Sequence, residues 1–314
     1  MTVAATLHRL ASLPPAFWGL IAVVIVAALH HPQFLSLPFM MILLRQAAPL
    51  GIVALGQTFV VVNRSLDLSV GANIAFVNLV VSHAFWGESP AFAVIAAALA
   101  AGTIIGVVNG LLVTLLRASS VVVTLATALV VTGTGFIMTN GAPGNAMPAL
   151  IKWLGRGRID IVPVSALVWI ALGMISFFIL RKLVLGRNIH ASGDNPSAAR
   201  YSGISITWTL FVSHTMCGLY AAIGGILLSG LIGVGALNLG ADYVLSSIAA
   251  VILGGAVFGG GAGGAIGTML GTVLLIMVLN LLTVFGVDQP GKLIVQGLVI
   301  VVAAIIYQQG RRRD

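Results

Sequence analysis

Leu185 to Ile206 reads LGRNIHASGDNPSAARYSGISI, the longest polar break in an otherwise oily chain. Apolar runs flank it on both sides, so its reading decides the fold. Inside it, Asn195 is suited to cap a helix, Pro196 to stand at the first helical position, and Gly203 to take the left-handed conformation past the last turn. These positions predict a helix of about two turns. Isolated helices below roughly 12 residues are marginal in water, so something must hold it in place.

Working outward, the composition explains the flanks. The chain is 59% hydrophobic and 7% charged, with a mean hydropathy of +1.13, whereas a globular domain carries about 25% charged residues. So much apolar surface cannot be enclosed in one soluble core, and the chain is expected to be an integral membrane protein. Its 38 glycines suit close helix packing in lipid, and alternating strands of about ten residues are absent, which argues for a helical bundle over a β-barrel. The net charge of +8 comes from basic residues scattered between apolar runs; these read as topology signals, and no nucleic-acid partner is expected. Cys217 is the single cysteine, which excludes an internal disulfide and a cysteine metal site.

Spans of roughly 20 apolar residues are expected near 15–31, 38–62, 69–84, 91–116, 119–139, 161–181, 207–232, 244–258, 264–286 and 292–308, the third and eighth being short enough for broken or re-entrant helices. The first, PAFWGLIAVVIVAALH, lacks a following cleavage pattern and is expected to remain as a span. With a cytoplasmic N-terminus, Arg9, Arg64, Arg117, Arg181, Lys182, Arg187, Arg200, Arg311, Arg312 and Arg313 fall inside, against Lys152, Arg156, Arg158 and Lys292 outside, so both termini and the 185–206 segment are expected in the cytoplasm. Arg45 is left near the start of the second span, where it can snorkel to the outer interface. The blocks 38–139 and 207–308 share an order of long, short, long and long spans, and would be inverted repeats within one transmembrane domain covering 1–314.

The polar positions inside the oil are few. NRSLDLSVGAN, from Asn63 to Asn73, holds Asp67, which either caps the third helix together with Ser69 from a surface turn, or lies deeper and lines a path. Asn73, Asn78, Asn109, Thr124, Thr127 and Thr132 lie within spans, where such residues either bond between helices or touch a solute. Asp67, Ser69, Asn73, Asn78, Thr124 and Thr127 are the candidate translocation path, weakly polar and suited to a neutral hydrophilic solute. Gly259, Gly260, Gly261, Gly263 and Gly264 lack the Lys-Ser/Thr of a phosphate loop and predict a tight turn between two spans. In the loop 140–160, MPALIKWLG is amphipathic and can lie at the interface; Lys152, Arg156 and Arg158 there meet solvent or headgroups, or dock an acidic soluble partner. His8, His30, His31, His83, His190 and His214 show no metal spacing, and no catalytic triad can be built.

Four segments resemble, in order, the membrane subunits of ribose-type ABC importers: DLSVG at 67–71; NGLLVTLLRASSVVVTLATALVVTGTG at 109–135; GRNIHASGDNPSAARYSGI at 186–204, similar to GxxxxAxGxNxxAAxxxGI; and SIAAVILGGAVFGGGAGGAIGT at 247–268. The chain departs from that family at Asn63, Arg64 and Ser65, where glycines are usual, and at Val244 to Ser247, where acids are common. The resemblance implies an all-α permease of ten spans with a vitamin B12-importer-like architecture, in the bacterial inner membrane. It implies a second permease subunit, homologous or identical, with the path between the two. A periplasmic solute-binding protein would deliver a monosaccharide, and cytoplasmic ATP-binding cassette ATPases would bind ATP and Mg, this chain holding no cofactor. Coupling to the ATPase would fall on Asn195, Ala198, Ala199, Arg200 and Gly203. Two rivals stand beside this reading: an ion-coupled secondary carrier, and a sibling permease for an autoinducer-type furanosyl molecule, a nucleoside or a branched-chain amino acid.

Overall fold

The computed structural model describes residues 14–145 and 147–310. His8, Arg9 and Arg311 to Arg313, which carry part of the expected charge bias, lie outside the described residues. In chain order the elements are α1 (Pro15–His30), α2 (Leu37–Val62), α3 (Val70–Ser82), α4 (Ala91–Leu115), α5 (Ser120–Thr139), α6 (Ala149–Arg156), a hairpin of β1 (Arg158–Ile159) and β2 (Val162–Pro163), α7 (Val164–Lys182), α8 (Val184–Asp194), α9 (Pro196–Tyr201), α10 (Ile206–Ile232), α11 (Tyr243–Leu253), α12 (Ala265–Val284) and α13 (Gln289–Gly310). Each of the ten apolar segments becomes a helix. The largest difference is at the eighth, which stops at Leu253 because Gly254 opens a turn in which Gly255, Gly260, Gly261 and Gly263 take positive φ. This is the turn that the glycine cluster predicts.

Among the described residues, six helices (α2, α4, α5, α7, α10 and α12) are long and apolar enough to cross a membrane. The most apolar stretches of α2 and α10 are 61% and 67% buried, against 28% in α4 and α5; α2 and α10 are therefore the central pair. The short α3 has 13 residues, about 20 Å of helix, and nearly all of it is buried. Longer neighbours enclose it, which is how a helix shorter than the hydrocarbon thickness keeps its ends out of lipid.

The two four-helix blocks interlock. Helix α10 packs on α3 and α4, and in exchange α2 packs on α11 and α12, while α2 and α10 pack on each other. The tightest crossing is between α4 and α10. A Cβ at Gly102 would meet Ala222, one at Gly106 would lie 2.6 Å from the His214 carbonyl and 2.9 Å from the Gly218 Cα, and one at Gly110 would lie 2.9 Å from the Phe211 carbonyl. Four-residue spacing puts these glycines on one helix face, so the backbones come together where dispersion contacts are gained without a hydrophobic drive.

Candidate functional site

Three places combine polar chemistry with a defined position. The first is the polar break. Asn195 accepts a hydrogen bond from the Ala198 N–H at 3.0 Å and starts α9. The other end closes with Ile204 N–H bonded to the Ala199 carbonyl and Gly203 N–H to the Arg200 carbonyl, both at 3.0 Å, with Gly203 at φ +82°. This paired closure is the geometry that a glycine past the last turn permits. The expected caps are thus observed, but two features of the segment differ from the sequence expectation. Residues 184–194 are helical, a stretch to which the sequence assigned no element. Ala199 is buried, so its small side chain lets α9 sit on its own chain. The outward face carries Ala198, Arg200 and Tyr201, the last 94% exposed.

Helix α8 is the mount for α9. Gly193 sits against the Val62 carbonyl, leaving no room for a Cβ, and the Gly261 N–H donates to that same carbonyl at 2.8 Å. His190 Nε2 lies 3.2 Å from the Gly263 carbonyl, and Thr209 donates to Ser192 at 3.2 Å. Arg64 crosses from the turn after α2, donating to the Gly259 carbonyl at 2.6 Å and to the Asp194 carbonyl at 3.4 Å. The exposed helix is therefore fastened to both blocks.

The second place is the turn 63–69. The surface-cap expectation for Asp67 does not hold. Ser69 occupies the cap position of α3 and makes no side-chain cap bond, and Asp67 is 1% exposed. The Asp67 carboxylate accepts from the Ser69 N–H at 2.8 Å and from its hydroxyl at 2.6 Å. Its other oxygen lies 3.6 Å from His214 Nδ1, while His214 Nε2 is 3.0 Å from Ser65 Oγ. Asn109 donates to Ser69 at 2.7 Å, Asn63 to Ser213 at 3.1 Å, and Gln57 to the Asp67 carbonyl at 3.1 Å. Burial opposes the charge of Asp67, but His214 beside it and the Ser69 bonds outweigh it and hold the carboxyl below its ordinary value. Gln57 and His214, which sequence reasoning did not select, join Ser65 and Asn109 in making this a joint between α2, α4 and α10.

Of the remaining path candidates, three bond to neighbours. Thr124 accepts from the Leu68 N–H at 3.0 Å. Asn73 donates to the Gly102 and Gly218 carbonyls at 3.0 and 3.3 Å. Asn78 donates to Ser229 at 3.0 Å and accepts from the Ala236 N–H at 2.7 Å, pinning the loop after α10. Thr127 is 8% exposed on α5.

The third place is a cavity of about 220 Å³ where α11 and α13 begin and α12 ends; none of the six path candidates lines it. Asp242, Tyr243, Ser246, Asn280, Lys292 and Gln296 carry its polar chemistry, against a wall of Leu50, Ile276 and Leu279. Gln296 donates to Ser246 at 2.7 Å, Ser246 to the Asp242 carbonyl at 2.6 Å, and Asn280 to Gln46 at 3.0 Å. Asp242 and Lys292 form no ion pair with each other. Convergent amides, a hydroxyl and opposite, unpaired charges suit a neutral solute with many hydroxyls, because a net charge on the solute would meet attraction and repulsion together.

On the far side of the chain from α9 in sequence, α6 forms as the amphipathic pattern predicts, with Ile151 and Gly155 buried and Lys152 and Trp153 exposed. Arg156 is not a free docking charge: its guanidinium donates to the Leu231 carbonyl at 2.7 Å and to the Ile232 carbonyl, closing the end of α10. Arg158 stands exposed on β1. Among the described residues no group of His, Cys, Asp and Glu could hold a metal.

A family model described as branched-chain amino acid transport system / permease component matches residues 39–304. The ribose import permease protein RbsC of Escherichia coli (strain K12) is 33% identical over 92% of this chain and 91% of its own length. RbsC of Bacillus subtilis (strain 168) is 34% identical over 92% and 91%. The galactose/methyl galactoside import permease protein MglC of Escherichia coli (strain K12) is 28% identical over 91% of each chain. No solved structure matches the chain.

Proposed function

The chain belongs to the branched-chain amino acid transport system / permease component family, and on that premise we propose that it is the membrane-spanning permease subunit of an ATP-binding cassette importer whose cargo is a monosaccharide. What carries the reading is the match along nine-tenths of the chain to permeases named for ribose and galactose import. The polar cavity between α11, α12 and α13 supports a neutral, hydroxyl-rich cargo, its charges balanced at Asp242 and Lys292.

On this reading all ten apolar helices lie in the inner membrane, eight of them as two inverted repeats, with both termini cytoplasmic. A second permease subunit completes the path, and a periplasmic solute-binding protein delivers the sugar to the face bearing Lys152. A cytoplasmic ATPase binds and hydrolyses ATP and grips α9 through Ala198, Arg200 and Tyr201. Asn195 and Gly203 keep α9 a rigid handle, and the handle is anchored through α8 and Arg64 to the ends of α2 and α11. Asp67, Asn73 and Asn78 reach from the first repeat to the second, so that a push on α9 moves packed helices as units.

The membrane complex, purified through a tag on this chain, is expected to carry an ATPase subunit. A cysteine at Tyr201 is expected to cross-link to that subunit. Co-purification of no ATPase, with no cross-link from position 201, would contradict the reading.

A further inference from the structure

Arg45 and Arg158 come from different elements and line one cavity of about 400 Å³. Arg45 is the ninth residue of α2, about 12 Å along the helix from its start, and is half-buried; Arg158 stands on the short strand β1. The rest of the wall is apolar, with Leu37, Met41 and Ile42 from α2 and Ile161 from the hairpin turn.

These two cations differ from the others that the bundle places near backbone. Arg64 and Arg156 spend their donors on carbonyls, whereas neither Arg45 nor Arg158 has a hydrogen-bond or ion-pair partner among the described residues, Asp160 of the same hairpin included. Two guanidinium groups lining one cavity repel, and a cation at membrane depth is costly unless an anion meets it. The chain supplies none there. An anion with two or more acceptor oxygens fits the planar donor fork of arginine, and the apolar wall requires that the anion carry a hydrocarbon chain.

We propose that this cavity binds an anionic phospholipid, its phosphate between Arg45 and Arg158 and an acyl chain along Leu37, Met41 and Ile42. Arg158, for which the sequence left solvent, headgroups or a docking partner open, is thereby assigned to lipid. The site fastens the β1–β2 hairpin to the first turns of α2.

The test uses the purified membrane complex in nanodiscs of phosphatidylcholine with or without phosphatidylglycerol. Native mass spectrometry of the wild type is expected to retain phosphatidylglycerol in preference to phosphatidylcholine, and phosphatidylglycerol is expected to raise its melting temperature. Arg45→Gln with Arg158→Gln is expected to abolish that preference, and Arg181→Gln to leave it intact. If the double variant does not fold, Arg158→Gln alone, on the exposed hairpin, is expected to reduce retention several-fold. Unchanged retention in the variants would overturn the proposal. So would inorganic phosphate stabilising the wild type as well as the lipid does, because the ligand would then be a free anion. A double variant that keeps its lipid but loses its neighbouring subunit would also overturn it, since the cations would then face protein.

Discussion

Each block leads into its short helix through a polar turn with an acid, and the two acids are used in opposite ways. Ahead of α3, Asp67 is buried and surrounded by Ser69, Asn109 and His214, contributed by three helices or their turns. Ahead of α11, Asp242 is exposed and lines an open cavity with Lys292 opposite in charge. The helix order is shared; the polar residues decide that one turn becomes a joint and the other a recess. One helix order thus supplies both a rigid element and a polar recess, because packing sets the helices while a few side chains set the polarity of each end.

The contrast is tested most severely by removing each acid. Asp67→Ala leaves a histidine and several donors buried without their partner, and a broken buried pair costs about 3–5 kcal/mol; the melting temperature or the yield of folded protein in detergent should fall sharply. Asp242→Asn is expected to change stability by no more than about 0.5 kcal/mol, as for a surface position, while uptake of the cargo drops. Equal destabilisation by the two changes would erase the distinction.

A second difference lies in the glycines. In the first block Gly102, Gly106 and Gly110 of α4 face α10, across the blocks; in the second, Gly267 and Gly271 of α12 face α11, within one block. Gly106→Leu therefore strikes the contact between blocks and is expected to cost about 1–3 kcal/mol, seen as dissociation of the bundle at lower denaturant. A smaller effect is expected at the handle. Asn195→Ala removes one cap, worth about 1 kcal/mol, and should raise hydrogen exchange within α9 and weaken ATPase coupling without altering the melting of the bundle. The smallest is Arg156→Gln. Loss of a cation from the α10 terminus costs about 0.3–1 kcal/mol, and stimulation by the binding protein is expected to persist.

The apolar segments were legible because a membrane imposes length and composition on each helix separately, and α9 was legible because Asn195, Pro196 and Gly203 act on their nearest neighbours. What was not legible depends on distant partners. Helix α8 carries Gly186 and Gly193, which read as loop residues until Val62, Leu180 and Gly261 are seen to need that close approach. The depth of Asp67 is set by Asn109 and His214, one from each block, and Arg156 meets carbonyls 75 residues away. The polar cavity draws one to four residues from each of several helices, so no single stretch announces it. The path expected in the first block rested on polar residues within spans, and the fold ties Asp67, Ser69, Asn73 and Asn78 by hydrogen bonds to other helices.

The most direct measurement is uptake of labelled ribose and galactose into proteoliposomes holding this chain with its co-purified subunits and binding protein. Uptake of one of these sugars that requires ATP on the ATPase side, requires the binding protein, and falls in Asp242→Asn and Gln296→Leu is the expected result. Uptake that instead follows a proton or sodium gradient and persists without ATP or any ATPase subunit would contradict the account.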